Sequence, residues 1–300
     1  MTEIKLGQIY AVLAFLFWGA IAPIYFKEVS SVEPLEVLIH RIIWSFFILI
    51  PLIFITKQVD IYKTLIKDFT KLKYLALSTF FISLNWLVFI WAVTNDKIME
   101  TALGYYINPL VSIFLGYLFF QERMTKNQYI AIFIAFIAVF YQVLSLGSLP
   151  LVSLTLAFSF AFYGMIRKKI NVGSIVGLFV ETLIMIPFAL IGIYYLYTTN
   201  SISFLNSSTY INIMLSLGGI ITITPLLLFN GAATRLKLTT LGFLQYLGPT
   251  CAFLLAIFIY NEEFNFDKMI TFILIWIALA IFSLDSIKKY RKQKKLKKDN

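Results

Sequence analysis

Three ionisable side chains stand inside stretches that are otherwise apolar: His40 and Arg41 in EVLIHRIIWSFF (36–47), and Glu181 in GLFVETLIMIPFAL (177–190). On insertion scales an ionisable group at the centre of a bilayer-spanning helix costs about 2.5–3.5 kcal/mol, so each needs a partner, a wet cavity or a route to the interface. Arg41 lies about five to seven residues from the nearer end of its segment; it either snorkels to that interface or lines a cavity and draws in anions. Glu181 is about eight residues in, too deep to snorkel easily. Two kinds of chemistry are open to it. One is an ion pair with Arg41, which stands 140 residues earlier. The other is carriage of a proton, because desolvation favours the neutral form of a carboxyl group held against an apolar wall. His40, Arg41 and Glu181 are therefore the charge and proton-coupling candidates.

A second polar set surrounds two prolines, in LGYYINPL (103–110) and LQYLGPT (244–250). Proline lacks an amide donor and crowds the carbonyl four residues back, so Pro109 and Pro249 are expected to break their helices near the bilayer midplane and free the carbonyls of Tyr105 and Gln245. Freed carbonyls at that depth must find protein or water. Near these breaks the sequence places Tyr105, Tyr106, Asn108, Gln245 and Tyr246, and other apolar segments carry Asn85, Trp86, Trp91, Tyr163 and Asn230. Flat rings with a few amides suit an amphipathic or aromatic organic molecule, the rings supplying contact and the polar groups orientation. These ten residues are the substrate-cavity candidates. Trp18, Tyr62, Trp276 and Tyr290, closer to segment ends, are assigned to interface belts or packing. Gly104, Gly116, Gly242 and Gly248 let helices approach closely or slide.

Catalysis is not expected. The one histidine excludes a His-rich metal site, and the sequence has no Asp-rich cluster, nucleophile elbow or phosphate-binding glycine loop. No catalytic residue, metal or cofactor is assigned. An ATP-driven pump is excluded for a single chain without a nucleotide-binding domain.

The elements that must position these groups are membrane helices. Of 300 residues, 60% are hydrophobic and 13% charged, against about 45–50% and 25% in soluble domains. Apolar runs at 7–26, 35–56, 73–94, 100–120, 127–145, 150–167, 174–197, 211–231, 239–260 and 267–287 each suffice to cross a core of about 30 Å. They are too long and too evenly apolar for barrel strands. The first is read as retained, since no cleavage site follows it. Cys251 is the only cysteine, so no intramolecular disulfide forms.

Lysine and arginine positions orient the chain. With the N-terminus cytoplasmic, the inner loops hold Lys57, Lys63, Lys67, Lys71 and Lys73, then Arg123, Lys126, Arg167, Lys168, Lys169, Arg235 and Lys237, whereas the outer loops hold Lys27, Lys97 and Lys268. Both termini are then cytoplasmic. The net charge of +10 is concentrated in the tail KKYRKQKKLKK (288–298), which is read as a topology and anionic-lipid anchor rather than a nucleic-acid site.

A shift of 140 residues lays 74–141 over 214–281 without a gap, matching Phe89 with Phe229, Tyr106 with Tyr246, Pro109 with Pro249 and Glu122 with Glu262. Each half has five spans, an odd number, so the second enters from the opposite side. Loop charge agrees: the lysine-rich 57–73 loop corresponds to 198–210, which has no Lys or Arg. The expected architecture is an all-α polytopic membrane protein of ten transmembrane helices in two inverted five-helix repeats, 1–146 and 147–287, followed by a basic cytoplasmic tail, 288–300.

These motifs carry a family resemblance. EVLIHRIIWSFF (36–47), NWLVFIWAV (85–93), LGYYINPL (103–110), SFAFYGMIRKK (159–169) and TPLLLFNGAATRLKLTTLGFLQYLGPT (224–250) resemble the RarD family of the EamA-type drug/metabolite transporter superfamily. The resemblance implies a five-plus-five inverted-repeat permease of the bacterial inner membrane with its cavity between the halves. Together with the midplane prolines it points to a secondary transporter that moves a small organic metabolite or drug-like compound by alternating access, with proton coupling through Glu181 as a hypothesis. A channel without alternating access and a membrane-embedded enzyme are the alternatives. The expected partners are a small-molecule substrate and membrane lipid; a homodimer is left open.

Overall fold

The computed structural model describes residues 2–95, 97–146, 150–259 and 266–296. Among these the chain is all-α, and ten helices are long and apolar enough to cross a membrane, at the places expected from the sequence. The first span joins α1 (Glu3–Leu16), a π turn (Phe17–Ile21) and α2 (Ala22–Glu28); the second is α3 (Pro34–Ile55). A short helix α4 (Val59–Leu65) occupies the lysine-rich loop, and α5 (Phe69–Thr94), α6 (Ile98–Phe120) and α7 (Lys126–Leu146) complete the first five. The rest are α8 (Leu151–Ile170), α9 (Ser174–Thr198), α10 (Thr209–Ala233), the broken pair α11 (Leu238–Gln245) and α12 (Leu247–Phe258), and α13 (Phe266–Leu296).

Short polar breaks set the helix ends. Thr2, Asp68 and Ser208 accept hydrogen bonds from the backbone N–H of Lys5, Lys71 and Ile211, satisfying free amides of a first turn. Gln121 and Asn171 stop α6 and α8 in the left-handed region, at φ 51° and 47°. Asp68 also lies 3.1 Å from the Lys71 ammonium; the backbone bond and that charge hold its carboxyl below the usual carboxylate range. Between these ends the helices are apolar on all sides. Phe133, Phe188 and Tyr194 are 63%, 72% and 69% exposed, a surface that only lipid would cover at low cost. The chain is a multi-pass membrane protein.

Packing exchanges helices between the two ends of the sequence. The most extensive contacts of α8 are with α5 and α6, and those of α1 are with α10. The helix α3 packs on α9 and α10, α6 on α11, and α7 on α13. Each of these pairs joins one of the first five spans to one of the last five, and the 140-residue shift turns the set into itself: α5 with α8 becomes α10 with α1. Two groups result, one of α5, α6, α8 and α9, the other of α1, α3, α10 and α11.

The two expected helix breaks differ. The ninth span divides at Tyr246, three residues before Pro249. By contrast α6 runs through Pro109 without interruption, which corrects the expectation of a break there. Its neighbour supports it: α11 packs so closely that a Cβ on Gly242 would lie 2.9 Å from the Pro109 carbonyl oxygen. The second irregularity is instead the π turn of the first span, which meets the broken span directly, since a Cβ on Gly19 would fall on the Gly248 carbonyl.

Candidate functional site

Between the two groups of helices lies a narrow slot with room for about one water molecule. Its walls come in matched pairs. Ser45 faces with Met185, Ile82 with Thr222 and Trp86 with Leu226, each pair separated by the same 140 residues, so the slot sits on the pseudo-twofold relation of the fold. Arg41 and Glu181, matched in the same way, stand at its two ends.

At one end Glu181, which also lines the slot with Tyr163, accepts a hydrogen bond from Ser78 Oγ at 2.6 Å through Oε1 and one from Tyr163 Oη at 3.3 Å through Oε2. Asn230 Nδ2 donates to the same Tyr163 oxygen at 2.8 Å. Behind the carboxylate, Arg167 Nη1 lies 3.6 Å from Oε1, its side chain wholly buried. Gly177 makes room for that guanidinium, because a Cβ there would fall inside it. The expected Arg41–Glu181 pair is not formed: Arg167, one turn after Tyr163 on α8, takes the position of the counter-ion.

At the other end Arg41 Nε donates to Thr222 Oγ1 at 2.8 Å. Its guanidinium carbon lies 4.9 Å from the Trp86 ring centroid and 5.2 Å from that of Phe26. The phenols of Tyr25 and Tyr105 are near enough to interact electrostatically with it. Tyr25 Oη is buried and makes no hydrogen bond.

His40 faces elsewhere. Trp44 Nε1 donates to its Nδ1 at 3.2 Å, which leaves the ring proton on Nε2, 3.8 Å from Glu36 Oε1. The buried Glu36 carboxylate accepts from the backbone N–H of Ser203 and Phe204, and the His40 ring lies 4.5 Å from that of Phe204. This group fastens the loop between α9 and α10. A comparable clasp closes the opposite end of the bundle: Glu122 accepts from the N–H of Leu238 and Thr239, both at 2.8 Å, while Lys168 lies 3.7 Å from it and donates to the Leu236 carbonyl. Glu122 thereby ties α6 to the start of α11.

Known proteins with this pattern are transporters. The EamA-like transporter family matches residues 5–144. "Protein RarD" of Salmonella typhi is 46% identical over 291 residues, covering 97% of this chain and 99% of that protein. The chain belongs to the RarD family of EamA-like transporters. "Protein RarD" of Escherichia coli (strain K12) is 45% identical over 98% of this chain and 99% of its own length. "Uncharacterized transporter YojE" of Bacillus subtilis (strain 168) is 38% identical over 97% and 98%. A crystal structure at 15% identity has a TM-score of 0.71, covering 94% of this chain and 99% of that one, which shows a shared fold.

In this RarD-family chain the cavity candidates separate into groups. Trp86 and Tyr163 line the slot and Asn230 holds Tyr163. Tyr105, 53% exposed, stands by Arg41. Two amides instead join helices: Asn85 donates to the Leu156 carbonyl at 2.9 Å and to Ser159, and Asn108 to the Ala157 carbonyl at 2.7 Å, both binding α8. Tyr106, Gln245 and Tyr246 belong to the contact of α6 with α11 and α13; Tyr106 packs on Phe272, Tyr246 donates to the Tyr106 carbonyl, and Gln245 accepts from Ser112. Trp91 is half exposed, with the Lys97 ammonium over its ring. Glu262 lies outside the described residues. Sequence reasoning missed Phe26, Ser78 and Thr222, the last because a lone threonine in ITIT carries no signal until Arg41 is set against it.

Proposed function

We propose that this chain is a secondary carrier that moves a small organic compound across the bacterial inner membrane by alternating access, with both termini cytoplasmic. The observation that supports this most is the slot itself: closely walled, placed on the relation between matched halves, with an arginine at one end and a glutamate at the other. Segments 1–146 and 147–287 act as inverted repeats in this account, and the tail 288–300 anchors to anionic lipid. What rocks is not one sequence half against the other. The moving units are the exchanged groups, α5, α6, α8 and α9 against α1, α3, α10 and α11, with Glu122 holding one end closed in the state described here.

Glu181 is the coupling group. Its carboxylate meets the slot on one side and the Asn230–Tyr163 hydrogen-bond relay on the other, so protonation there would be felt by whatever occupies the slot. The test is counterflow in proteoliposomes holding the full chain, with a panel of metabolites and antibiotics. A carrier exchanges labelled for unlabelled compound, whereas an open pore only equilibrates, and pure equilibration would refute the carrier. Glu181→Gln is expected to keep exchange and lose the response to a pH gradient; a variant with the full response removes Glu181 from coupling.

A further inference from the structure

Arg41 carries a charge that the protein does not neutralise. Among the described residues no carboxylate reaches ion-pair distance of it, and its one hydrogen bond is through Nε. The other deep guanidinium, Arg167, has Glu181 as its counter-ion. Snorkelling does not account for Arg41: Thr222, which it reaches, is near the midpoint of α10 (Thr209–Ala233), so the guanidinium points towards the membrane centre.

The surroundings define what would complete it. Trp86 and Phe26 give the cation aromatic contact, which stabilises it without cancelling its charge. With Nε tied to Thr222, the Nη edge is left, and its parallel N–H groups match the two oxygens of a carboxylate. The unbonded Tyr25 hydroxyl converges on the same place: a Cβ on Gly218 would lie 2.6 Å from Tyr25 Oη and 3.1 Å from Arg41 Cγ. One uncompensated positive charge suits a monoanion. Trp86, shared by the Arg41 site and the slot, offers a flat face to the rest of the molecule.

We infer that the compound handled at this site is an amphipathic monocarboxylate, its carboxylate on the Nη edge of Arg41 with the Tyr25 hydroxyl as a further donor, and its flat apolar body on Trp86. This rests on the carrier reading above and narrows its substrate class. The test uses three probes of one shape: phenylacetate, phenylacetamide and phenethylammonium, titrated against the purified full chain while tryptophan fluorescence and melting temperature are followed. Phenylacetate should bind at least about tenfold more tightly than the amide, and the ammonium more weakly than either. Arg41→Gln should remove the preference for acid over amide, and Arg41→Lys, which keeps the charge without the fork, should restore only part of it. Equal binding of acid and amide by the wild type, no binding of phenylacetate, or an acid preference that survives Arg41→Gln would each overturn the inference. Counterflow separates this from the broader proposal: exchange confined to neutral or cationic compounds removes the carboxylate and leaves the carrier, while no exchange of any compound removes the carrier.

Discussion

Arg41 and Glu181 occupy the same place in two matched stretches of chain, yet they do not touch; Arg41 ends on Thr222, and Glu181 on Ser78, Tyr163 and Arg167. Opposite charges at equivalent positions thus leave one end of the slot internally neutralised and the other open to an anion. A duplicated scaffold has acquired two different ends.

The Arg167–Glu181 pair makes a stability prediction. Removing one partner leaves the other buried and uncompensated, so Arg167→Met alone should cost about 3 kcal/mol or more. Combined with Glu181→Leu, the loss should be clearly less than the sum of the two single losses. Melting temperatures of the four proteins in one detergent close the cycle, and simple additivity would deny the pair any coupling.

The Glu122 clasp predicts local opening. Glu122→Ala removes the acceptors of the Leu238 and Thr239 amides, bonds to a charged group worth about 1.5–3 kcal/mol each. Hydrogen exchange at those two amides should quicken by about tenfold or more, while exchange within α9 stays as it is. Unchanged protection would mean that α11 needs no help from α6 to begin.

Two neighbouring glycines should respond in opposite ways. Gly177→Ala puts a methyl group into the Arg167 guanidinium, and overpacking of that kind costs about 1–3 kcal/mol. Gly173→Ala meets nothing within 4 Å and should lose no more than about 1 kcal/mol, for a poorer helix cap. Thermal melts of both variants decide this.

Asp68 supplies a pH dependence. Its carboxyl is held below the ordinary value in the folded protein, so the charged cap contributes fully above about pH 4 and is lost as pH falls through the lower folded value. Protection of the Lys71 amide should fall on acidification in the wild type. In Asp68→Asn it should stay flat over about pH 2–5, and an identical acid response in both proteins would discount the carboxylate.

The ten spans were legible because length and apolarity are local properties of the chain. Their partners were not: helices apolar on every side have no face that announces a neighbour, and the exchange of α1 and α8 between groups depends on fit, as where Gly19 meets the Gly248 carbonyl. Amides misled for a related reason. Asn85 and Asn108 read as cavity groups, but an amide within a span is equally satisfied by the backbone carbonyl of an adjacent helix, here Leu156 and Ala157. Glu181 was readable as a charge that needed explaining, whereas its counter-ion was hidden among the basic residues of an apparent helix end, Arg167, Lys168 and Lys169.

The exchanged packing also bears on how the molecule is made. When α1 enters the bilayer, α10 and α11, against which it will rest, are still some two hundred residues from synthesis, and α5 and α6 likewise wait for α8. The early helices must therefore sit in lipid, singly or in provisional company, until late ones arrive to separate and sort them. Assembly is then an event of the finished polypeptide, and a ribosome that stops near the middle leaves behind inserted helices without a fold.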